Sequence, residues 1–245
     1  MRCLHRGTVA VALASIFYVG TAQAALVTLN VDSALSSLTL SGSTYGINFA
    51  PQSAGSLTAN YGGTITADLS GGVLTFSGGS TINALNSGTY TSAPNPIGAV
   101  AGSYGVVASG VPAPPNDVLG PQTLNGVYRG IVLDLTGGTA TDGAATAATF
   151  SFASGFLDYG TAPFDLQGTA TLATTDLANT SLSAVAWDGT TLTIPVAFTL
   201  NDDNRIQNFT GTIVATAVPE PSSFALLALV GGVGFVRKRS RNRIR

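Results

Sequence analysis

Residues Thr191–Leu200 alternate without a break. Leu192, Ile194, Val196, Phe198 and Leu200 are apolar, and Thr191, Thr193, Pro195, Ala197 and Thr199 stand between them. Successive side chains of a strand point to opposite faces, so a period of two predicts one buried and one wet face. Pro195 has no N–H to give a ladder and is expected at an edge or a bulge. Asp188-Gly189, just upstream, predicts a tight hairpin back to Leu182–Trp187. Asn201-Asp202-Asp203-Asn204, just downstream, predicts a turn into a last strand over Ile206–Ala217.

The same grammar runs through the rest of the body. Helical periodicity is nearly absent, and short β-favouring runs are separated by Gly, Asn and Asp. Strands are expected at Leu26–Val31, Leu35–Leu40, Gly46–Phe49, Leu57–Asn60, Thr64–Leu69, Val73–Ser77 and Thr81–Leu85. Gly62-Gly63, Gly71-Gly72 and Gly78-Gly79 are read as the turns between them. Residues 87–122 hold Pro94, Pro96, Pro112, Pro114, Pro115 and Pro121 and read as a long surface excursion with one strand at Tyr104–Ala108. Loops often carry binding surfaces, and this one is a candidate. In Gly126–Leu135 the alternation places Val127, Arg129, Ile131, Leu133 and Leu135 on one face and Tyr128, Val132 and Asp134 on the other. Ala148–Ala153 and Gly168–Thr174 complete the set. The expectation is an all-β, sandwich-like single domain of about a dozen strands over residues 25–217. A β-solenoid is the alternative, from the glycine-punctuated stretch Gly62–Ser80, although no fixed repeat is found. Two half-domains split at the proline-rich region are a third arrangement.

Residue inventory limits the chemistry of this body. Met1, Cys3 and His5 are the only residues of their kinds, and Lys238 is the only lysine. From 25 to 217 there is no thiol, imidazole or amine side chain. Disulfide stapling, Ser-His-Asp or cysteine nucleophiles, Schiff bases and Cys/His zinc sites are therefore excluded there. The same span holds two arginines, Arg129 and Arg205, against eleven aspartates. That balance repels phosphate backbones, so no nucleic-acid partner is expected. Aspartate pairs can hydrolyse glycosides across a cleft, and Asp134, Asp158 and Asp165 are the candidates; turn and strand-end roles compete with that reading. Asp202 and Asp203 could contribute oxygens to calcium, but an Asx-rich turn is the favoured account of them and no cofactor is expected. Trp187, Tyr45, Tyr61, Tyr90, Tyr104, Tyr128 and Tyr159 could stack on sugar rings or serve as core.

The two ends carry the signals. Arg2 and Arg6 precede an apolar run over Val9–Val19, and Ala22-Gln23-Ala24 has the small-x-small form of a signal-peptide cleavage site. Residues 1–24 are expected to leave as a signal helix, making Ala25 the mature N-terminus of an exported chain. At the other end Val218-Pro219-Glu220-Pro221 is followed by uncharged Phe224–Val236, then Arg237, Lys238, Arg239, Arg241, Arg243 and Arg245. Thirteen residues make about 20 Å of helix, a marginal span of a hydrocarbon core about 30 Å thick. The basic cluster is a cytoplasmic stop. An ordinary C-terminal anchor is one reading of this segment.

The order of proline motif, leucine/alanine/glycine helix and arginine cluster in 218–245 resembles the PEP-CTERM sorting domain of Gram-negative bacteria that make exopolysaccharide. The resemblance covers about a tenth of the chain. It implies recognition at Pro219-Glu220-Pro221 by exosortase, a membrane protease, with the transmembrane helix 224–236 discarded. It implies a membrane-held intermediate followed by the cell surface or the extracellular space. For the body the expectation is a non-enzymatic surface or matrix protein associated with exopolysaccharide, with a lectin-like carbohydrate-binding module and a glycosidase as alternatives.

Overall fold

The computed structural model describes residues 24–52, 56–91, 99–141, 144–145, 148–163, 167–172, 174–181, 185–202 and 204–218. The signal segment before Ala24, the tail from Pro219 onward, and the candidates Asp165 and Asp203 lie outside them. Within them are nineteen strands, one 3-10 turn and no α-helix. In chain order the strands are β1 (Ala25–Val31), β2 (Ser37–Thr44), β3 (Ile47–Asn48), β4 (Ala50–Pro51), β5 (Thr58–Ser70), β6 (Val73–Thr75), β7 (Thr81–Ala84), β8 (Gly88–Thr91), β9 (Ala99–Gly102) and β10 (Tyr104–Gly110). After the 3-10 turn Asn116–Leu119 come β11 (Gln122–Gly137), β12 (Thr139–Thr141), β13 (Ala144–Ala145), β14 (Thr149–Ala162), β15 (Gln167–Thr171), β16 (Thr174–Ala178), β17 (Ala186–Trp187), β18 (Thr191–Asp202) and β19 (Arg205–Ala217).

Several of these are halves of one interrupted line. β1 and β2 both lie between β19 and β5: Val31 pairs with Ala215 and Gly63, and Ser37 with Thr212 and Asn60. The five residues between them bulge out, with Ala34 N–H donating to Asp32 Oδ1 and Ser36 N–H to Asp32 O. β6 and β7 share the other edge of β5, and β11 and β12 follow them. The sheet thus runs β18, β19, β1/β2, β5, β6/β7, β11/β12, β14, β16, and every ladder is antiparallel. Stacked solenoid coils would pair in parallel, so that alternative does not describe these residues. Two half-domains do not describe them either, because β19 lies against β1 and β2, and β11 against β7.

The sheet bends until its ends face each other across one hydrophobic cluster. Phe150 and Phe152 of β14 meet Phe198 of β18 with ring centroids 5.5 and 5.9 Å apart, and Phe198 stacks on Phe209 of β19 at 5.2 Å. Leu192, Ile194, Val196, Phe198 and Leu200 are all buried, as the alternation requires. The expected sandwich is therefore two facing halves of one continuous sheet.

The bend stops short of a closed barrel. Among the described residues no ladder joins β16 to β18. Asn179 stands in for one: its amide donates to Pro195 O at 2.7 Å and its Oδ1 accepts from Ala197 N–H at 2.8 Å. Thr180 N–H and Oγ1 both donate to Ala197 O. Pro195 and Ala197 thus turn their main-chain groups away from β19, and Pro195 sits on the edge where its missing N–H leaves no ladder unmade.

Two expected features change. Gly62-Gly63 is not a turn, because β5 runs straight through it. Gly63 has φ +109°, and a Cβ there would collide with the Thr81 carbonyl oxygen, so glycine allows β7 to approach. In β11 a bulge at Gly130, φ +60°, shifts the register between Arg129 and Val132. A bulge adds one residue and reverses the alternation beyond it. Tyr128 therefore joins Ile131, Leu133 and Leu135 in the core, and Arg129 falls on the outside, with its guanidinium 4.9 Å from the Phe156 ring centre.

Candidate functional site

The chain enters and leaves the domain at one pole. Ala25 pairs with Leu69, and Val218 N–H donates to Thr28 O. β19 carries the chain there from the opposite pole. Its 13 residues, at about 3.3 Å each, put the two poles about 40 Å apart.

A groove of about 180 Å³ opens at that far pole. It is lined by Thr44, Tyr45, Ile47, Ala108, Pro112, Asn116, Leu119, Gln122, Leu124 and Thr161. Three pieces of chain build it. Thr44 and Ile47 pair across a two-residue hairpin whose central residues, Tyr45 and Gly46, both have positive φ, +49° and +80°. That is the backbone a type I′ turn needs, and it is unfavourable for tyrosine. Two main-chain bonds hold Tyr45 there: its N–H donates to Asn204 O at 2.8 Å, and its carbonyl accepts from Ala113 N–H at 2.7 Å. The proline-rich excursion supplies Pro112, Asn116 and Leu119, and the ends of β10 and β11 supply the floor. Part of the excursion thus lines the groove, while its upstream strands, β8 and β9, pair with each other and cover the outer face around Val127.

Among the described residues no charged side chain lines the groove. Its apolar rim continues outward through exposed Val111, Val118 and Leu119. Behind the groove, on the core side, lies a buried polar cluster. Thr44 is 3% exposed and its Oγ1 has no hydrogen-bond partner among the described residues. The Tyr128 hydroxyl and the Gln207 amide share that condition. Arg205, Gln207 and Phe209 lie on the same face of β19, and Arg205 pairs with Thr44 in the ladder. Burial pushes the Tyr128 hydroxyl far above the usual phenol range, partly offset by the Arg205 guanidinium.

The aspartate candidates are engaged elsewhere. Asp134 accepts from Gly79 N–H at 3.1 Å and Ser80 N–H at 2.7 Å and so anchors the loop before β7. Asp158 receives the Arg129 guanidinium and the Thr169 hydroxyl, and the arginine holds its carboxyl below the usual range. Asp134 pairs with Ser151 and Asp158 with Val127, seven residues apart along one ladder. At about 3.3 Å per residue that is about 23 Å, whereas facing glycosidase carboxylates stand about 5–10 Å apart. Asp202 is bound by Arg205 across the β18–β19 turn, and among the described residues no three His, Cys, Asp or Glu side chains cluster as metal ligands. Asp188-Gly189 gives a wider hairpin than expected, with Trp187 opposite Leu192. Asp188 Oδ1 accepts from Thr190 N–H, Thr190 Oγ1 and Thr191 N–H, which lowers its pKa. Of the seven aromatic candidates only Tyr45 is exposed, at 41%; Tyr159 is half-buried and the rest are core.

At the near pole the last described residues are pinned to the sheet. Ala217 N–H donates to Thr190 O and Val218 N–H to Thr28 O. Residues 217–240 match the family description of a protein-sorting motif. The chain carries a PEP-CTERM motif. The PEP-CTERM match opens on the final residue of β19, so the folded domain reaches the sorting motif without a spacer. The body has no family assignment, and no curated protein and no solved structure matches the chain. The PEP-CTERM motif marks an exported protein processed by exosortase, a membrane protein, on its way to the cell surface. No helix among the described residues is long and apolar enough to cross a membrane. The 224–236 run, the arginine stop at Arg237, Lys238 and Arg239, and Ala22 of the signal cleavage site fall outside them.

Proposed function

We propose that this chain is a non-enzymatic surface or matrix protein, held at the inner membrane by residues 224–236, trimmed by exosortase near Pro219-Glu220-Pro221, and then associated with exopolysaccharide. The PEP-CTERM motif fused directly to the end of β19 carries this reading. A motif that begins on the last residue of β19 sets the near pole toward the bilayer and the far pole outward. Engagement of Asp134 by main-chain N–H groups and of Asp158 by Arg129 supports a non-catalytic role. A lectin-like module is the second reading, favoured by the uncharged groove with Tyr45 at its rim.

Mass spectrometry of the mature C-terminus tests the sorting reading. Wild-type protein released from cells is expected to have lost everything from Phe224 to Arg245. Pro219→Ala with Glu220→Ala is expected to keep the full tail and remain cell-bound. Released protein that still ends at Arg245, or unchanged trimming in the double variant, overturns it.

A further inference from the structure

We infer that the core binds one structural water molecule between β2, β11 and β19, bonded at once to Thr44 Oγ1, the Tyr128 hydroxyl and both ends of the Gln207 side-chain amide.

Buried polar groups are nearly always paired, and most of this core obeys that rule. The Tyr61 and Tyr104 hydroxyls bond each other, and the Ser36, Ser80 and Ser103 hydroxyls each bond a main-chain group. Thr44, Tyr128 and Gln207 are as deeply buried, yet Thr44 Oγ1, the Tyr128 hydroxyl, Gln207 Nε2 and Gln207 Oε1 have no partner among the described residues. Such exceptions scattered through a core would carry little meaning. Here they fall together.

The ladder brings them to one place. Thr44 stands opposite Arg205 and Gly42 opposite Gln207, so Thr44 and Gln207 are diagonal neighbours on the inner face. Gly42 brings no side chain to fill the space across from Gln207. Tyr128 reaches the same end from β11. Its ring stands edge-on to Tyr104 at 6.3 Å, and Tyr104 stands edge-on to Phe209, the inward residue next to Gln207 on β19, at 5.9 Å. The Tyr128 hydroxyl also feels the charges of Arg205 and Asp202, which close that end of the sheet.

The donor and acceptor count selects the occupant. Gln207 Nε2 only donates, Gln207 Oε1 only accepts, and a hydroxyl does either. Water donates two bonds and accepts two. One molecule can accept from Gln207 Nε2 and Tyr128 and donate to Gln207 Oε1 and Thr44 Oγ1, within the two to four bonds that buried waters make. A metal cation would find no carboxylate among these four atoms, and an anion would be turned toward the Gln207 carbonyl oxygen, with the nearby Arg205 already held by Asp202. Thr44 is the last residue of β2 before the Tyr45-Gly46 turn, so such a water ties the hairpin at the groove to β11 and β19 from the core side.

Oxygen-17 relaxation dispersion on the exported protein tests this, because it counts long-lived buried waters without interference from exchanging hydroxyl protons. The triple variant Thr44→Val, Tyr128→Phe, Gln207→Met removes all four polar atoms while keeping the side chains close in size. It is expected to hold one long-lived water fewer than wild type. An equal count overturns the inference, and a loss of two or more overturns the single bridge. A crystal structure of wild type is the second measurement, and it decides the matter even where the triple variant fails to fold. Density for one water within bonding distance of Thr44, Tyr128 and Gln207 is expected. Gln207 bonded directly to Tyr128 or Thr44, with no water between, would overturn it.

Discussion

Two buried tyrosines show how unequal the ends of one hydrogen bond can be. Tyr61 and Tyr104 are fully buried, with their hydroxyls 2.8 Å apart, and Tyr104 also reaches Leu38 O at 3.2 Å. A carbonyl only accepts, so Tyr104 donates to Leu38 and Tyr61 donates to Tyr104. Tyr61→Phe removes a donor and leaves Tyr104 bonded. Tyr104→Phe leaves the buried Tyr61 hydroxyl with no partner. Urea denaturation should show Tyr104→Phe costing about 1–3 kcal/mol more than a satisfied bond is worth, and Tyr61→Phe only about 1 kcal/mol. Equal losses would reverse the assigned direction of donation. None of this was legible in the sequence, where every tyrosine looked alike. Tyr45 was the one with a visible cue, since a Tyr-Gly pair between two β-favouring runs fits a two-residue turn.

At the level of strands, alternation was readable wherever the backbone stayed regular. β18 matches residue for residue, and the edge position of Pro195 followed from its missing donor. Reading failed where a glycine changed the geometry without breaking the strand. Gly130 reverses the faces of β11, and Gly63 lets a neighbour in rather than turning the chain. A Gly-rich pattern specifies positive φ or close approach, and only the packed neighbours decide which. Asn179 was missed for another reason: a side chain that replaces a missing strand leaves no periodic trace. Asn179→Ala should remove both its bonds to β18, lower stability by about 1–3 kcal/mol and speed hydrogen exchange at Ala197 N–H above that of β19 amides. Unchanged protection at Ala197 would mean the seam is held by Thr180 alone.

For the whole molecule, fold class and sorting signal were legible because both are written as local patterns. The groove was not, because it joins residues 44–47, 108–124 and 161 only after the sheet bends. Composition gives the folded body an unusual alkaline profile. Tyr61, Tyr104 and Tyr128 are held neutral by burial, with pKa values raised far above the unfolded value of about 10. Below about pH 10 folded and unfolded chains bind the same phenolic protons and nothing is lost. Above it the unfolded chain releases protons that the folded chain keeps, so stability falls, by up to about 4 kcal/mol per pH unit for three such groups. The body has no lysine to blur the effect. Denaturation midpoints at about pH 9 and about pH 11 should differ sharply, and the triple Tyr→Phe variant should flatten the difference. Equal midpoints in wild type would contradict the burial of these phenols.

The shared exit of both chain ends has a practical corollary for anyone labelling this protein in cells. On the proposed membrane-held intermediate, a reporter fused ahead of Ala25 would crowd the lipid headgroups and obstruct the protease. The same reporter inserted in the 116–119 turn would ride about 40 Å out, within reach of antibodies, at the mouth of the far-pole groove.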